Sequence, residues 1–210
     1  MFNLQIIPVG AFQQNCSIVW DDQKNAAIID PGDEAETLIN FIESKQLNLT
    51  KILITHGHLD HIMAADKLRT HFGVAIYGSQ EEDQPLFEQL GEITQEYGFP
   101  RVEGFLPNHW LNDGDLIKVG DLKFDIRHLP GHSPGHIGFF DFENKIVFSG
   151  DVLFQNSIGR TDLYKGNFDQ LISTIRTKLF DLDDDFVVVA GHGAYTTIGQ
   201  EKQNNPFLKK

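Results

Sequence analysis

Four apolar, β-branched runs in this 210-residue chain each end, within three residues, on histidine or aspartate. Lys51-Ile-Leu-Ile-Thr55 leads into His56-Gly57-His58-Leu59-Asp60-His61, and Phe124-Asp-Ile-Arg-His-Leu129 leads into Pro130-Gly131-His132. Lys145-Ile-Val-Phe148 is followed by Ser149-Gly150-Asp151, and Phe186-Val-Val-Val-Ala190 by Gly191-His192-Gly193. Imidazole and carboxylate are donors for zinc, iron or manganese, and the single Cys16 excludes a thiolate site. In an extended loop side chains alternate, so His56, His58 and Asp60 project to one side, while Gly57 lets the backbone approach and turn. Asp60 and His61 then open a helix, where neighbours diverge enough to serve a second centre. By composition alone, a His-x-His-x-Asp-His string arises by chance in roughly one chain in 700. If the four strands share a sheet edge, seven metal-type side chains converge there, where loops of layered αβ folds bind ligands.

The elements that must position these residues follow from periodicity. Strand patterns cover 4–9, 17–20, 26–30, 51–54, 74–77, 122–129, 137–142, 145–148 and 186–190. Helical spacing covers 34–45, 61–72, 80–97 and 168–179. A seam falls near Phe99–Trp110, yet no low-complexity linker divides the chain. Hairpin strands mixed with covering helices predict a layered αβ sandwich in one domain spanning residues 1–210.

Composition narrows the function classes. Lys plus Arg number 17 against 30 for Asp plus Glu, a formal charge of −13. A field of that sign repels phosphate backbones and anionic lipid, which argues against nucleic-acid and membrane partners. No apolar stretch reaches the length of a bilayer span, and Met1-Phe2-Asn3-Leu4-Gln5 has no basic segment before an apolar one. One cysteine cannot form an internal disulfide, so a cytoplasmic protein is expected.

His56-Gly-His58-Leu-Asp60-His61, Gly131-His132-Ser-Pro-Gly135-His136, Gly150-Asp151 and Gly191-His192 resemble the successive motifs of the metallo-β-lactamase superfamily. The Asp30-Pro31-Gly32 turn and the ending Thr196-Thr-Ile-Gly-Gln-Glu201 through Asn205-Pro206-Phe207 are similar to its short, single-domain glyoxalase II-like branch. The resemblance implies an α/β (α+β) four-layer αββα sandwich. It implies two divalent cations, zinc first with iron or manganese as alternatives: His56, His58 and His132 on one, Asp60, His61 and His192 on the other, Asp151 and a hydroxide between them. Asp60 and Asp151 are then the catalytic carboxylates, and the activity is hydrolysis of S-lactoylglutathione or a similar small acyl-thiol. A thioester suits such a site because its thiolate leaves without a strong general acid. Arg160 and Tyr164 resemble the substrate-binding cation and tyrosine that follow the bridging aspartate. The longer members carry a C-terminal helical segment that contacts glutathione, whereas 18 residues follow His192 here. A mononuclear-iron persulfide dioxygenase and a lactonase or other ester hydrolase are the alternatives on this fold.

Other residues have plainer expected roles. Asp30 either bonds a ligand imidazole or closes its turn. His71 is expected on the last carbonyls of its helix, His136 as a local structural partner, and His109 and His128 as structural or exposed. Cys16 reads as a small buried hydrophobe. Glu81, Glu82, Asp83, Glu88, Glu92 and Glu96 read as one solvated acidic face, on a helix that could also lie over the site.

Overall fold

The computed structural model describes residues 1–209. Its first sheet has five strands in sequence order: β1 (Asn3–Val9), β2 (Gln14–Trp20), β3 (Asn25–Ile29), β4 (Asn48–Leu53) and β5 (Ala75–Tyr77). The first three pair antiparallel through hairpins, and β3, β4 and β5 pair parallel. Parallel pairing needs crossovers, supplied by α1 (Ala35–Ser44) and by α2 (Leu59–Ile62) with α3 (Ala65–Phe72). Leu38, Ile39 and Ile42 give α1 a buried stripe at helical spacing.

A six-stranded sheet follows, built from β6 (Leu116–Val119), β7 (Leu122–His128), β8 (Ile137–Asp141), β9 (Ile146–Gly150), β12 (Val187–Ala190) and β13 (Thr196–Thr197), in the order β13-β12-β9-β8-β7-β6. A two-stranded ribbon, β10 (Leu153–Phe154) with β11 (Ser157–Ile158), branches off after β9. In sequence, α4 (Gln84–Glu88) and α5 (Leu90–Glu96) come between the two sheets, with Phe87 and Leu90 packed into the core on the α1 and α3 side; α6 (Phe168–Thr174) and α7 (Ile198–Asn204) belong to the second half.

Alternating side chains sort the interior into three cores. Ile18, Ile28 and Ile52 face α1 and α3, while Val19, Ile29 and Leu53 turn inward to meet Phe124, Phe139 and Phe148 of the second sheet. Phe140, Val147 and Val188 point outward against Leu171 and Ile175, next to Ile198. The layering is therefore αββα. β8 is buried along its whole length because both its faces are covered. No helix among the described residues is long and apolar enough to cross a membrane.

The four ligand-bearing strands are divided between the two sheets and do not share one sheet edge. β4 belongs to the first sheet, and β7, β9 and β12 to the second. The latter three run in one direction, since β8 is antiparallel to both neighbours and β12 is parallel to β9. The convergence point is the shared edge of a two-sheet sandwich.

Candidate metal centre

β4 runs out into residues 54–58, which carry His56 and His58, and α2 then presents Asp60 and His61. The loop after β7 delivers His132, β9 ends on Gly150-Asp151, and β12 ends on Gly191-His192. These seven side chains form three overlapping groups: His56, His58 and His132; His56, His61 and Asp151; and Asp60, His61 and His192. Within each group the donor atoms lie within 4.8 Å of one another. His58 Nδ1 faces His132 Nε2 at 2.9 Å. Asp151 lies 3.4 Å from His61 Nε2, 3.6 Å from His192 Nε2 and 3.7 Å from His132 Nε2, and so stands between the first group and the last.

Backbone and side-chain acceptors fix the rings. His132 Nδ1 donates to the Arg160 carbonyl at 2.7 Å, and His192 Nδ1 to the Phe12 carbonyl at 3.1 Å. His61 Nδ1 donates to Asp30 Oδ2 at 2.9 Å, and Asp30 also accepts from the Thr55 amide and hydroxyl, each at 2.7 Å. Of the two roles open to Asp30, the structure shows the bond to the imidazole. Such bonds aim the other ring nitrogen into the cluster. His136 stacks on His56 at 4.6 Å, and its Nε2 accepts from the Asp151 amide at 3.1 Å.

Burial and the facing carboxylates set the charges of the cluster in opposite directions. Burial pushes His56 and His136 well below the ordinary histidine range. Burial, reinforced by facing His132, brings His58 down to about 3. Burial also lowers His132, against the pull of Asp151. For Asp60 and Asp151 burial works toward the neutral acid, but His61 and its neighbours outweigh it and keep both ionised. Against burial, Asp151, Asp60 and Asp30 push His61 well above the ordinary histidine range, and the bond to Asp60 raises His192. A cation, which needs neutral imidazoles, would compete with protons at these two rings. His56 Nε2, His58 Nε2, His61 Nε2 and Asp151 Oδ1 are buried without a hydrogen-bond partner. An unmet buried polar atom costs about 1–3 kcal/mol, and four on one cluster fit a bound metal.

The cluster floors a cavity of about 560 Å³. Arg160 and Tyr164 both line it. The Arg160 guanidinium forks onto Asp162, with both N–O distances 2.7 Å, and that pair draws the Asp162 carboxyl down to about 2. The remaining histidines lie elsewhere. His109 stacks on Tyr77, and His128 Nε2 bonds the Pro134 carbonyl. His71 pairs with Glu43 at 2.9 Å instead of capping its own helix, because α1 packs alongside α3.

Two positioning residues escaped the sequence. Asp83 is fully buried, not part of a solvated face, and accepts from the Gly57 amide (2.9 Å), the Ser133 hydroxyl (2.9 Å) and the Gly135 amide (2.6 Å). One carboxylate thus ties the His56–His58 loop to the His132 loop. Asn15 holds the His192 loop: its amide donates to the Gly191 carbonyl, and Nδ2 to the carbonyls of Ala190 and Gly193. Burial was the missing signal for Asp83, which sits in an acidic run; Asn15 carried no signal at all.

A two-sheet sandwich with a His/Asp cluster at its shared edge defines a class of metal-dependent proteins. The chain belongs to the metallo-beta-lactamase superfamily, whose family model matches residues 9–192. It is 60% identical over 207 residues, 98% of each chain, to the Haemophilus influenzae protein named hydroxyacylglutathione hydrolase GloC. Among solved structures it resembles the BLEG-1 B3 metallo-beta-lactamase, with 38% identity, a TM-score of 0.92, and 99% and 100% of the two chains covered. It also resembles TTHA1623 in a di-iron-bound form, with 36% identity, a TM-score of 0.89, and coverage of 97% and 100%.

Proposed function

We propose that the chain is a glyoxalase II-like hydrolase that cleaves S-lactoylglutathione or a similar acyl-thiol. The observation that carries this reading is the set of three interlocking donor groups, with four orphaned buried atoms, on the floor of a substrate-sized cavity. The name of the 60% identical relative supports the thioester class. His56, His58 and His132 would hold one cation, Asp60, His61 and His192 a second, with Asp151 shared; zinc, iron and manganese all suit these donors.

When bound, such a pair supplies Lewis acidity, acidifying water and polarising a carbonyl. The protein's own groups do the rest. Asp60, 3.1 Å from His192 Nε2 and lining the cavity, orients the attacking water and holds its proton. Asp30, through His61, and the Arg160 carbonyl, through His132, keep the imidazoles from turning. Arg160 and Tyr164 on the cavity wall meet the substrate's distal end, where a substrate carboxylate would compete with Asp162 for the guanidinium. In the balanced step, water oxygen bonds to the acyl carbon, the C–S bond breaks with its electron pair on sulfur, and carboxylate, thiol and one proton result.

Elemental analysis paired with S-lactoylglutathione hydrolysis on one sample tests the reading. About two metals per chain and turnover abolished by chelation are expected. One iron, no thioester turnover and oxygen uptake with a persulfide would replace it with the dioxygenase.

A further inference from the structure

The chain's ending, Thr196 through Phe207, supplies no donor to the metal centre, yet it holds two buried polar side chains. Glu201 lies on α7, and Asn205 follows that helix directly. The Glu201 carboxylate accepts from three neutral donors: the Asn156 amide at 2.9 Å, Asn205 Nδ2 at 2.8 Å and the Thr196 hydroxyl at 2.6 Å. Burying a carboxylate is costly, and bonds to neutral groups offset only part of the cost. Packing alone therefore does not account for a glutamate at this place. What the pair grips is the turn of the β10–β11 ribbon, since Glu201 takes the Asn156 N–H and Asn205 Nδ2 donates to the Ser157 carbonyl at 2.9 Å. A ribbon of two residue pairs is too short to keep its shape unaided. Leu153 and Ile158 pack with Ile198 and Leu208 on its apolar side, and the polar grip fixes its turn.

The ribbon's two stems lead into the metal centre. Asp151 stands just before it, and Gly159-Arg160 just after. The stems touch: the Gly159 amide donates to the Val152 carbonyl at 3.3 Å, and Gly159 has no room for a Cβ against the Asp151 carbonyl. The next carbonyl, that of Arg160, accepts from His132 Nδ1. One short loop thus sets the Asp151 carboxylate and the His132 ring relative to each other, and α7 ties down its tip.

We infer that Glu201 and Asn205 are positioning residues for the metal centre, acting through the β10–β11 ribbon on Asp151 and His132. A loosened turn lets both stems shift, and the donors they place no longer meet one cation together. Groups that hold metal ligands in place are worth about tenfold to a hundredfold in metal affinity. The inference rests on the metal-centre reading, and the thioester enters only as one readout.

The test compares variants of the full chain with the parent. Glu201→Met keeps the length and volume of the side chain and removes the acceptor. Glu201→Gln keeps an acceptor toward Asn156 and Asn205, while the Thr196 hydroxyl can reverse, accepting from the new amide and donating to Gln200 Oε1 at 3.1 Å. Zinc affinity is read at room temperature by competition with a chromogenic chelator, and amide hydrogen exchange over 152–160 at saturating zinc reads the ribbon. Glu201→Met is expected to bind zinc about tenfold more weakly and to exchange faster over that segment, with Glu201→Gln close to the parent. A role in stability alone would lower the melting temperature and leave the zinc affinity of the folded protein unchanged. Parental affinity and exchange in folded Glu201→Met, or equal losses in Glu201→Gln, would overturn the inference. Should Glu201→Met not fold, Asn205→Ala, which frees the Ser157 carbonyl, is held to the same two outcomes. S-Lactoylglutathione hydrolysis measured alongside separates the readings: the expected zinc and exchange pattern without turnover in the parent keeps the positioning and removes the thioesterase, whereas parental turnover with unchanged zinc affinity in the variants removes the positioning alone.

Discussion

Asp151 stands between the two candidate cation groups, with His61 and His192 of one and His132 of the other facing its two oxygens. Replacing it with asparagine keeps its size and removes the charge that neutralises them. Asp151→Asn, and independently His58→Ala, should lose metal and reduce thioester hydrolysis by more than about 100-fold, with far-UV circular dichroism unchanged. Metal stoichiometry reads the first effect directly, and full activity in Asp151→Asn would remove that carboxylate from the centre. Asp83 makes a different demand. Burial raises its carboxyl to about 6 against the donors of Gly57, Gly135 and Ser133, while the unfolded group stays near 3.8. Between those values the folded state holds the extra proton, so stability falls as pH rises from about 4 to about 6, by on the order of 3 kcal/mol. Asp83→Asn cannot titrate, and urea unfolding of the metal-free protein at both ends of that window should show its curve flatter than the parent's. Parallel curves would mean that Asp83 ionises as an ordinary carboxyl.

At the level of elements, the centre depends on loops that pass close to other backbone. Gly131 adopts φ +135°, and a Cβ there would come within 2.5 Å of the Leu171 backbone in the middle of α6. Gly131→Ala must move either α6 or the His132 loop, at about 1–3 kcal/mol. The expected result is a melting temperature lower by several degrees together with weaker binding at the His56, His58 and His132 group. Unchanged metal affinity would show that α6 yields and the loop does not. Such couplings also explain what the sequence concealed. All nine strands read from periodicity exist within a few residues of their expected ends, because they are apolar runs with turn residues on either side. β6 escaped notice because Leu116–Val119 alternates in a turn-rich stretch, and β10, β11 and β13 are two residues each. The helix expected over 61–72 is split: the Ala64 amide donates to the Pro31 carbonyl, a partner from another part of the chain that local spacing cannot reveal. The helix expected over 80–97 is three short pieces, with Pro85 in the first turn of α4 and a break at Gln89. All seven cluster residues were legible because each follows an apolar run or its glycine turn, whereas Asp83 and Asn15 act through backbone groups distant in sequence.

Across the whole molecule, the cluster joins the two sheets. His56, His58, Asp60 and His61 come from the half that contains the first sheet, and His132, Asp151 and His192 from the second. A bound cation is therefore a clamp across the sandwich edge, adding to the inter-sheet core of Val19, Ile29, Leu53, Phe124, Phe139 and Phe148. It binds the folded protein far better than the unfolded chain, in which the seven donors are scattered over more than a hundred residues. At a hundredfold excess over its dissociation constant, such a ligand stabilises the fold by about 2.7 kcal/mol, equivalent to roughly 5–10 °C for a chain of this size. Chelation should lower the melting temperature by that amount, and returning metal should restore it. The sheets themselves should persist after chelation, because the apolar contacts between them do not involve the cluster. Unchanged melting on chelation would mean that no cation spans the two sheets, and loss of secondary structure at room temperature would mean that the core alone cannot hold them together.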